Sequence, residues 1–386
     1  MRLLIISHTP HYFKNGTIVG LGSTVREIDQ LASLFSEVVH LAPLHNSKAP
    51  SGFIAYQSDE VRTVLVRPAG GEKLMEKALY LSRLPSWLAL MRKEIKNADV
   101  IHVRCPAVVS LVGLIACGLW ADKKPCWVKY AGNWLGRKNE PLTYIWQRRI
   151  LMRPHSNRVV TINGRWQNQP SHVFSFYNPS YSSSELEQAC CNAETKQLSE
   201  PLRLLFVGRL DDAKGVGTIL QILRGLLDLG VDTQLVLVGD SPQRAFFEQR
   251  ANSLGLQERV FFLGWKDKSE LAQEYAKAHF ILLPSVSEGW PKVLSEAMAY
   301  GVVPLASDVS SIPQIFKETG AGHAFPAEET RLFVDQILQY TQDRSLWKEA
   351  SKIAVEAADR FTYETYLEAV KKLFYKRWKV ELNAEE

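Results

Sequence analysis

Between residues 202 and 307 the chain uses one device five times: a short, nearly unbroken apolar run, then a turn, then a helical pattern. The runs are LRLLFVG (202–208), TQLVLVG (233–239), RVFFLG (259–264), HFILLP (279–284) and VVPLAS (302–307). A strand with one wet face alternates apolar and polar side chains. Runs like these instead suit strands covered on both faces, as in parallel sheets sandwiched between helices. The same rhythm fills the first half, with strands near 2–6, 38–42, 61–67, 99–103, 126–131 and 158–162. Helical patterns there fall near 23–37, 74–97, 106–121 and 140–152, and three more fill 328–378. Residues 180–201, polar and serine-rich, break the rhythm and read as a linker, or a linker with a short helix.

The chain is therefore expected to be α/β, with two Rossmann-like domains in tandem at 1–185 and 186–361 and a terminal helical segment at 362–386. Open parallel sheets bind ligands beyond the carboxyl ends of their strands. With two such sheets facing each other, the site is expected in the cleft between them.

Charge and cysteine usage narrow the function classes. Residues 1–180 hold 23 Lys+Arg against 11 Asp+Glu, while the remainder holds 23 against 30, so the net +5 hides a basic and an acidic half. A basic half suits an anionic membrane, a phosphorylated substrate or nucleic acid. No zinc-finger spacing or RNA-binding aromatic signature accompanies it, which removes nucleic acid. Five cysteines without ligand spacing imply neither a disulfide framework nor a metal site, and favour a reducing, cytoplasmic setting. The apolar run at 3–6 is too short for a signal-peptide core, and the uncharged stretch 106–121 is short of the ~20 residues that span a bilayer.

Two stretches carry chemistry. In the first, a strand ends at Pro284, a turn containing Glu288 and Gly289 follows, and Pro291 suits the start of a helix that holds Glu296. Backbone N–H groups at such a helix start can hold an anion. A carboxylate beside that point suits sugar hydroxyls, since its two oxygens match a vicinal diol. The plain alternative is a pair of solvated surface glutamates, although Glu296 lies among Ala297, Met298 and Ala299. In the second stretch, Gly208-Arg209-Leu210-Asp211-Asp212-Ala213-Lys214-Gly215, a strand again runs into a turn and a helix. Arg offers a planar fork and Lys a mobile charge, a pairing suited to a diphosphate. A solvent-facing charged turn is the alternative there.

Together, Glu288 and Glu296, the GRL…KG element (208–215) and the GVVPLASD strand resemble the retaining glycosyltransferases of family 4, also called glycosyl transferases group 1. Residues 202–375 carry the resemblance closely; the first half carries it loosely, through ADVIHVR (98–104) and FYNPS (176–180). The resemblance implies the two-domain GT-B architecture, with the last helix returning toward the first domain. It implies that Arg209 and Lys214, with Gly208, hold a nucleotide diphosphate. Glu296 would bind the ribose, and Glu288 would contact the transferred sugar beside Gly289 and Trp290. N–H groups of Val293 and Leu294 would touch phosphate, and backbone around Trp265 would meet the base. No metal or cofactor is implied; a UDP- or GDP-sugar is the donor substrate, and the acceptor is a sugar, a lipid-linked or another hydroxyl compound. The sequence departs from the family in two places. Gly289-Trp290-Pro291 stands where Gly-Phe-Gly is usual, so one backbone N–H is missing. Lys129-Tyr130-Ala131-Gly132-Asn133 lacks the histidine that the first domain usually carries, leaving Asn133 to replace a hydrogen bond but not a proton transfer. A nucleotide-sugar epimerase and a non-catalytic nucleotide-sugar-binding protein are the competing readings.

Weaker signals concern the acceptor side. Gly20-Leu21-Gly22 is either a glycine loop that touches ligand or an ordinary turn; Val25 stands where a third dinucleotide-fingerprint glycine belongs. His8 and His11, after the first strand, either meet acceptor or are exposed loop histidines. Arg104 and Lys129 occupy comparable strand ends with the same two readings. From Lys73 to Lys96, basic residues interleave with Leu, Trp and Met around Pro85, which is expected to break or kink the helix. That segment suits either a core-packed helix or one lying on an anionic membrane, making the protein peripheral there.

Overall fold

A computed structural model describes residues 1–68, 74–136 and 140–382. The chain divides into two compact units, Met1–Phe176 with Leu367–Glu386, and Tyr177–Tyr366.

The first unit contains β1 (Arg2–Ile6), β2 (His11–Lys14), β3 (Thr17–Leu21), α1 (Gly22–Ala32), β4 (Glu37–His45), β5 (Phe53–Ile54) and β6 (Val61–Val66). It continues with α2 (Leu74–Asn97), β7 (Val100–Cys105), α3 (Val108–Trp120), β8 (Cys126–Tyr130), α4 (Leu142–Met152), β9 (Arg158–Ile162) and β10 (Val173–Ser175). Strands pair in the order β10-β9-β8-β7-β1-β4, with β6 also on β4, all parallel. Alternate strand residues face two layers. Leu4, Ile6, Val103 and Val128 pack with Trp87, Met91 and Ile95 of α2, Val112 and Ala116 of α3, and Leu151 of α4. On the opposite face Trp127 meets Phe374 edge-on, and Phe374 meets Phe35 in the same way.

Of the break or kink expected at Pro85, the break is absent: Pro85 sits inside α2 without ending it. The turn expected around Gly20 is instead the end of a hairpin, β2 against β3, with β5 antiparallel to β3. Its signal was Asn15-Gly16, both at positive φ (52° and 79°), the pair that two-residue hairpin turns favour. Strands this short have little apolar periodicity to read.

The second unit opens with α5 (Ser183–Glu194) and continues through β11 (Leu202–Val207), α6 (Val216–Asp228), β12 (Thr233–Val238), α7 (Arg244–Ser253), β13 (Val260–Gly264) and α8 (Lys268–Lys277). Then come β14 (Phe280–Leu283), α9 (Lys292–Ala299), β15 (Val303–Ser307), α10 (Ile312–Thr319), β16 (His323–Phe325), α11 (Thr330–Gln342) and α12 (Arg344–Ala358). The chain's last helix is α13 (Tyr363–Trp378). The sheet is wholly parallel in the order β13-β12-β11-β14-β15-β16. The order reverses between β11 and β14, and the loops leaving those two strands are where such sheets open a crevice.

The segment read as a linker is part of this unit. Ser182 and Glu185 form a reciprocal capping box at the start of α5, and Leu186, Ala189 and Leu198 join the unit's core. Tyr181 donates its hydroxyl to the carbonyls of Ser295 (3.1 Å) and Ala358 (2.8 Å), so the boundary falls at Phe176 rather than near 185.

Candidate functional site

In the second unit the two charged stretches, 74 residues apart in sequence, meet at the switch point. After β11 the chain makes a 3₁₀ turn, Asp212–Lys214, capped by Asp211, whose Oδ1 accepts from the Lys214 backbone N–H at 2.9 Å. Gly215 then starts α6 in the left-handed region (φ 76°) against the loop that leaves β14. A Cβ here would lie 2.2 Å from the Pro284 carbonyl oxygen, so only glycine permits the approach. Val286 N–H donates to the Ala213 carbonyl at 3.0 Å, which ties the two loops together. Lys214 Nζ consequently reaches Glu288 Oε1 at 2.5 Å, with the side chains 29% and 10% exposed. Arg209 takes another path: its guanidinium turns back onto Asp211 (Nε to Oδ2 2.7 Å), and it is largely exposed.

Glu296 follows on α9. Its Oε2 accepts from the Tyr275 hydroxyl at 2.9 Å, and Oε1 has no partner among the described residues. Tyr275 is buried and stacks on Tyr300, and burial beside Glu296 holds its hydroxyl well above the ordinary pKa of 10. The sequence reading missed Tyr275 because a tyrosine in an amphipathic helix looks like core. The start of α9 has neither a side-chain cap nor an acidic residue in its first turn. Trp265 stands 47% exposed just beyond β13.

Two expected contacts are altered. Leu294 donates its N–H to the Pro291 carbonyl at 3.1 Å, so it is not open to a phosphate; Lys292 and Val293 form the rest of the helix start. Trp290 is 4% exposed and stacks flat on Phe361 (centroids 5.0 Å apart, 4° between planes), with Phe316 edge-on to it. It is core, and the Gly-Trp-Pro departure reflects packing. The carbonyl of Gly289 accepts from Ser311 Oγ at 2.9 Å, which fixes the turn after Glu288. A further hydroxyl in this loop, Ser285 Oγ, is buried without a protein partner. Buried hydroxyls are seldom left so, and a bound hydroxyl or water is what would satisfy it.

The first unit finishes its sheet differently. Glu27 of α1, 1% exposed, accepts from Lys129 Nζ (2.5 Å) and Arg104 Nη1 (2.8 Å), so both strand-end cations are spent on one buried carboxylate. Glu27 was legible as an acid between Val25 and Ile28 on the apolar side of α1, and was overlooked. His11 is fully buried, neither a loop histidine nor a ligand-facing one. Its Nδ1–H donates to the Thr9 carbonyl (2.9 Å), so its Nε2 accepts from the Tyr56 hydroxyl (2.9 Å). Tyr56 in turn accepts from His40 Nδ1 (2.6 Å), and His40 Nε2 accepts from Ser7 Oγ (2.7 Å). The chain of bonds closes with every histidine neutral, and burial pulls His11 down to about 4. Gly20 is a close-packing position, since a Cβ would lie 2.8 Å from His11 Nε2. Gly22 donates its N–H to the Gly52 carbonyl at 3.0 Å and is not open to a ligand. Asn133 closes its own turn, accepting from Leu135 N–H and donating to the Gly136 carbonyl, both at 3.1 Å. Among the acceptor-side residues named from sequence, His8 alone is exposed.

The fold is that of two-domain GT-B glycosyltransferases. The chain superposes on sucrose-phosphate synthase from Thermosynechococcus elongatus over 97% of its length and 98% of that chain, with TM-score 0.72 and 18% identity. A UDP-glucose complex of Anabaena HepE aligns over 97% and 100%, with TM-score 0.68 and 18% identity. Residues 192–360 match the family model of glycosyl transferases group 1. Over 173 residues it is 28% identical to N-acetyl-alpha-D-glucosaminyl L-malate synthase of Bacillus anthracis and 27% identical to phosphatidyl-myo-inositol mannosyltransferase of Mycobacterium leprae. The match spans less than half of the length of these relatives, 45% and 46%. Among the described residues no helix is long and apolar enough to cross a membrane.

Proposed function

We propose that the protein is a retaining glycosyltransferase that moves a hexose from a nucleoside diphosphate sugar, UDP- or GDP-linked, to an acceptor hydroxyl. The observation that carries this is the Lys214–Glu288 pair at the switch point, with Glu296 beside it on α9. Lys214 exchanges Glu288 for the donor's diphosphate, and Arg209 leaves Asp211 to join it. Lys292 and Val293 at the start of α9 receive the other phosphate oxygens. Glu296 Oε1 accepts from the ribose while Tyr275 fixes the carboxylate, and Trp265 lies against the base. Glu288, freed from Lys214, meets hydroxyls of the sugar. The bond from the anomeric carbon to the diphosphate oxygen breaks, and the acceptor oxygen bonds to that carbon on the same face. The acceptor's proton passes to the departing diphosphate, and no cofactor or metal takes part. The protein contributes position and positive charge placed where the leaving group gathers negative charge. The basic first unit is the acceptor side, and its charge, like the phosphatidylinositol relative, supports a lipid-linked acceptor reached from the cytoplasmic face of a membrane.

Thermal shift with UDP, GDP, ADP and their common sugars tests the donor class. A ligand present at about 100 times its Kd adds about 2.7 kcal/mol and displaces the melting curve visibly. NMR of the product's anomeric proton, or of the sugar released by slow hydrolysis, reads retention directly. No shift with any nucleotide overturns the reading, and an inverted anomer overturns its retaining part.

A further inference from the structure

The helix layer on one face of the first unit's sheet has an apolar outer surface that remains exposed among the described residues. On α3, Ile115 and Leu119, one turn apart, are 50% and 64% exposed; on α4, Leu142 and Trp146 are 67% and 53% exposed. Single exposed apolar residues are ordinary, but two aligned pairs on helices packed side by side form a patch. Neither α3 (VVSLVGLIACGLW) nor α4 (LTYIWQRRILM) contains an acidic residue. Exposed cations surround them: Arg149 and Arg153 at the end of α4, Lys123 after α3, and Arg92 of α2, whose guanidinium lies 5.8 Å above the Trp120 ring. The acids flanking these helices are Glu140, paired with Arg148, and Asp122, 3.2 Å from His155 Nε2.

We infer that this face docks on an anionic lipid bilayer, with Leu119, Leu142 and Trp146 entering the interface and Arg149, Arg153 and Lys123 meeting headgroup phosphates. An apolar strip flanked by cations is what an interfacial surface requires. A second copy of the chain fits less well, because a twofold contact would bring this basic rim against itself. The inference rests on the reading of the first unit as working at a membrane, and it moves the contact away from the 73–96 segment. In that segment Lys73 and the side chain of Lys77 lie outside the described residues, while Trp87, Met91 and Ile95 are buried in the core.

The test is sedimentation with phosphatidylcholine vesicles, with and without phosphatidylglycerol, at low and high salt. The wild-type chain should bind only the anionic vesicles and release as salt rises. Leu119→Asp/Trp146→Asp and Arg149→Glu/Arg153→Glu should each lower partitioning by roughly tenfold or more, with melting temperature and UDP affinity unchanged. Wild-type binding with both variants at full strength overturns this face and leaves the membrane reading standing; loss confined to Lys93→Glu/Lys96→Glu gives the contact to α2. A wild-type chain that ignores anionic vesicles at low salt overturns the membrane reading itself. A wild-type dimer made monomeric by the apolar variant assigns the face to a second copy instead.

Discussion

The carboxyl ends of the two sheets use similar residues to opposite ends. In the first unit, Arg104, Lys129 and Glu27 are buried together, and Ser7, His40, Tyr56 and His11 saturate one another. In the second unit, among the described residues, Lys214 Nζ and Glu288 pair with each other at a partly open edge, and Glu296 keeps one oxygen uncommitted. A strand-end charge therefore does not mark a site by its type. What marks it is whether another element has already saturated the group, because a saturated group offers a ligand nothing without first losing its partners.

Breaking the first unit's end should cost the most. Glu27→Ala leaves buried Lys129 and partly buried Arg104 without their shared carboxylate, and removing one partner of a buried ion pair costs about 3–5 kcal/mol. Urea unfolding should show a loss of that size, with nucleotide affinity retained in the folded fraction. A loss below about 1 kcal/mol would mean that the cluster is wet and open, and would make the two units alike. Trp290→Ala asks the same question of the second unit's interior. Truncating a buried Trp costs about 3–5 kcal/mol. UDP affinity of the folded protein should change little; a selective loss of affinity without loss of stability would return Trp290 to the donor site.

A pH comparison separates the units by another route. His11, at about 4, and His40 and His102, both depressed by burial, stay neutral in the folded protein and titrate near 6.5 once unfolded. Their contribution is therefore complete above pH 6.5 and is lost as pH falls below it, for His11 by about 1.4 kcal/mol per pH unit down to about 4. The second unit has one comparable buried histidine, His279, also lowered to about 4. Hydrogen exchange at pH 7 and pH 5 should show protection in β4 and β7 falling more than in β11 and β14. Equal losses would contradict the assignment.

Much of the second unit was legible because β11, β12, β14 and β15 are buried on both faces and leave unbroken apolar runs, whereas β13 reads the same yet exposes Phe261 and Leu263 on one face. The turns after β11 and β14 stood out because charge follows those runs directly. The first unit's hairpin was not legible, since β2, β3 and β5 have two to five residues and are partly exposed. Its strand-end residues were misjudged for a different reason. The partners that neutralise Arg104, Lys129 and His11 lie 77, 102 and 45 residues away, and sequence spacing gives no sign of them. Trp290 looked like a site residue because it follows Glu288 and Gly289, yet its ring is claimed by Phe361, 71 residues further on in the sequence. Motif position drew attention to the loop that leaves β14, and packing decides which of its side chains face outward.

The central claim is that the second sheet's switch point divides a nucleoside diphosphate between Glu296 and Lys214. Calorimetric titration of UDP and uridine, or of GDP and guanosine, into the wild-type chain, Glu296→Gln and Lys214→Ala tests it most directly. Glu296→Gln should weaken nucleoside and diphosphate alike, because both carry the ribose. Lys214→Ala should weaken the diphosphate by about 1.5–3 kcal/mol, the range for a hydrogen bond to a charged group, and leave the nucleoside untouched. Both variants binding the diphosphate as tightly as wild type would contradict the account, as would an equal loss of nucleoside in Lys214→Ala.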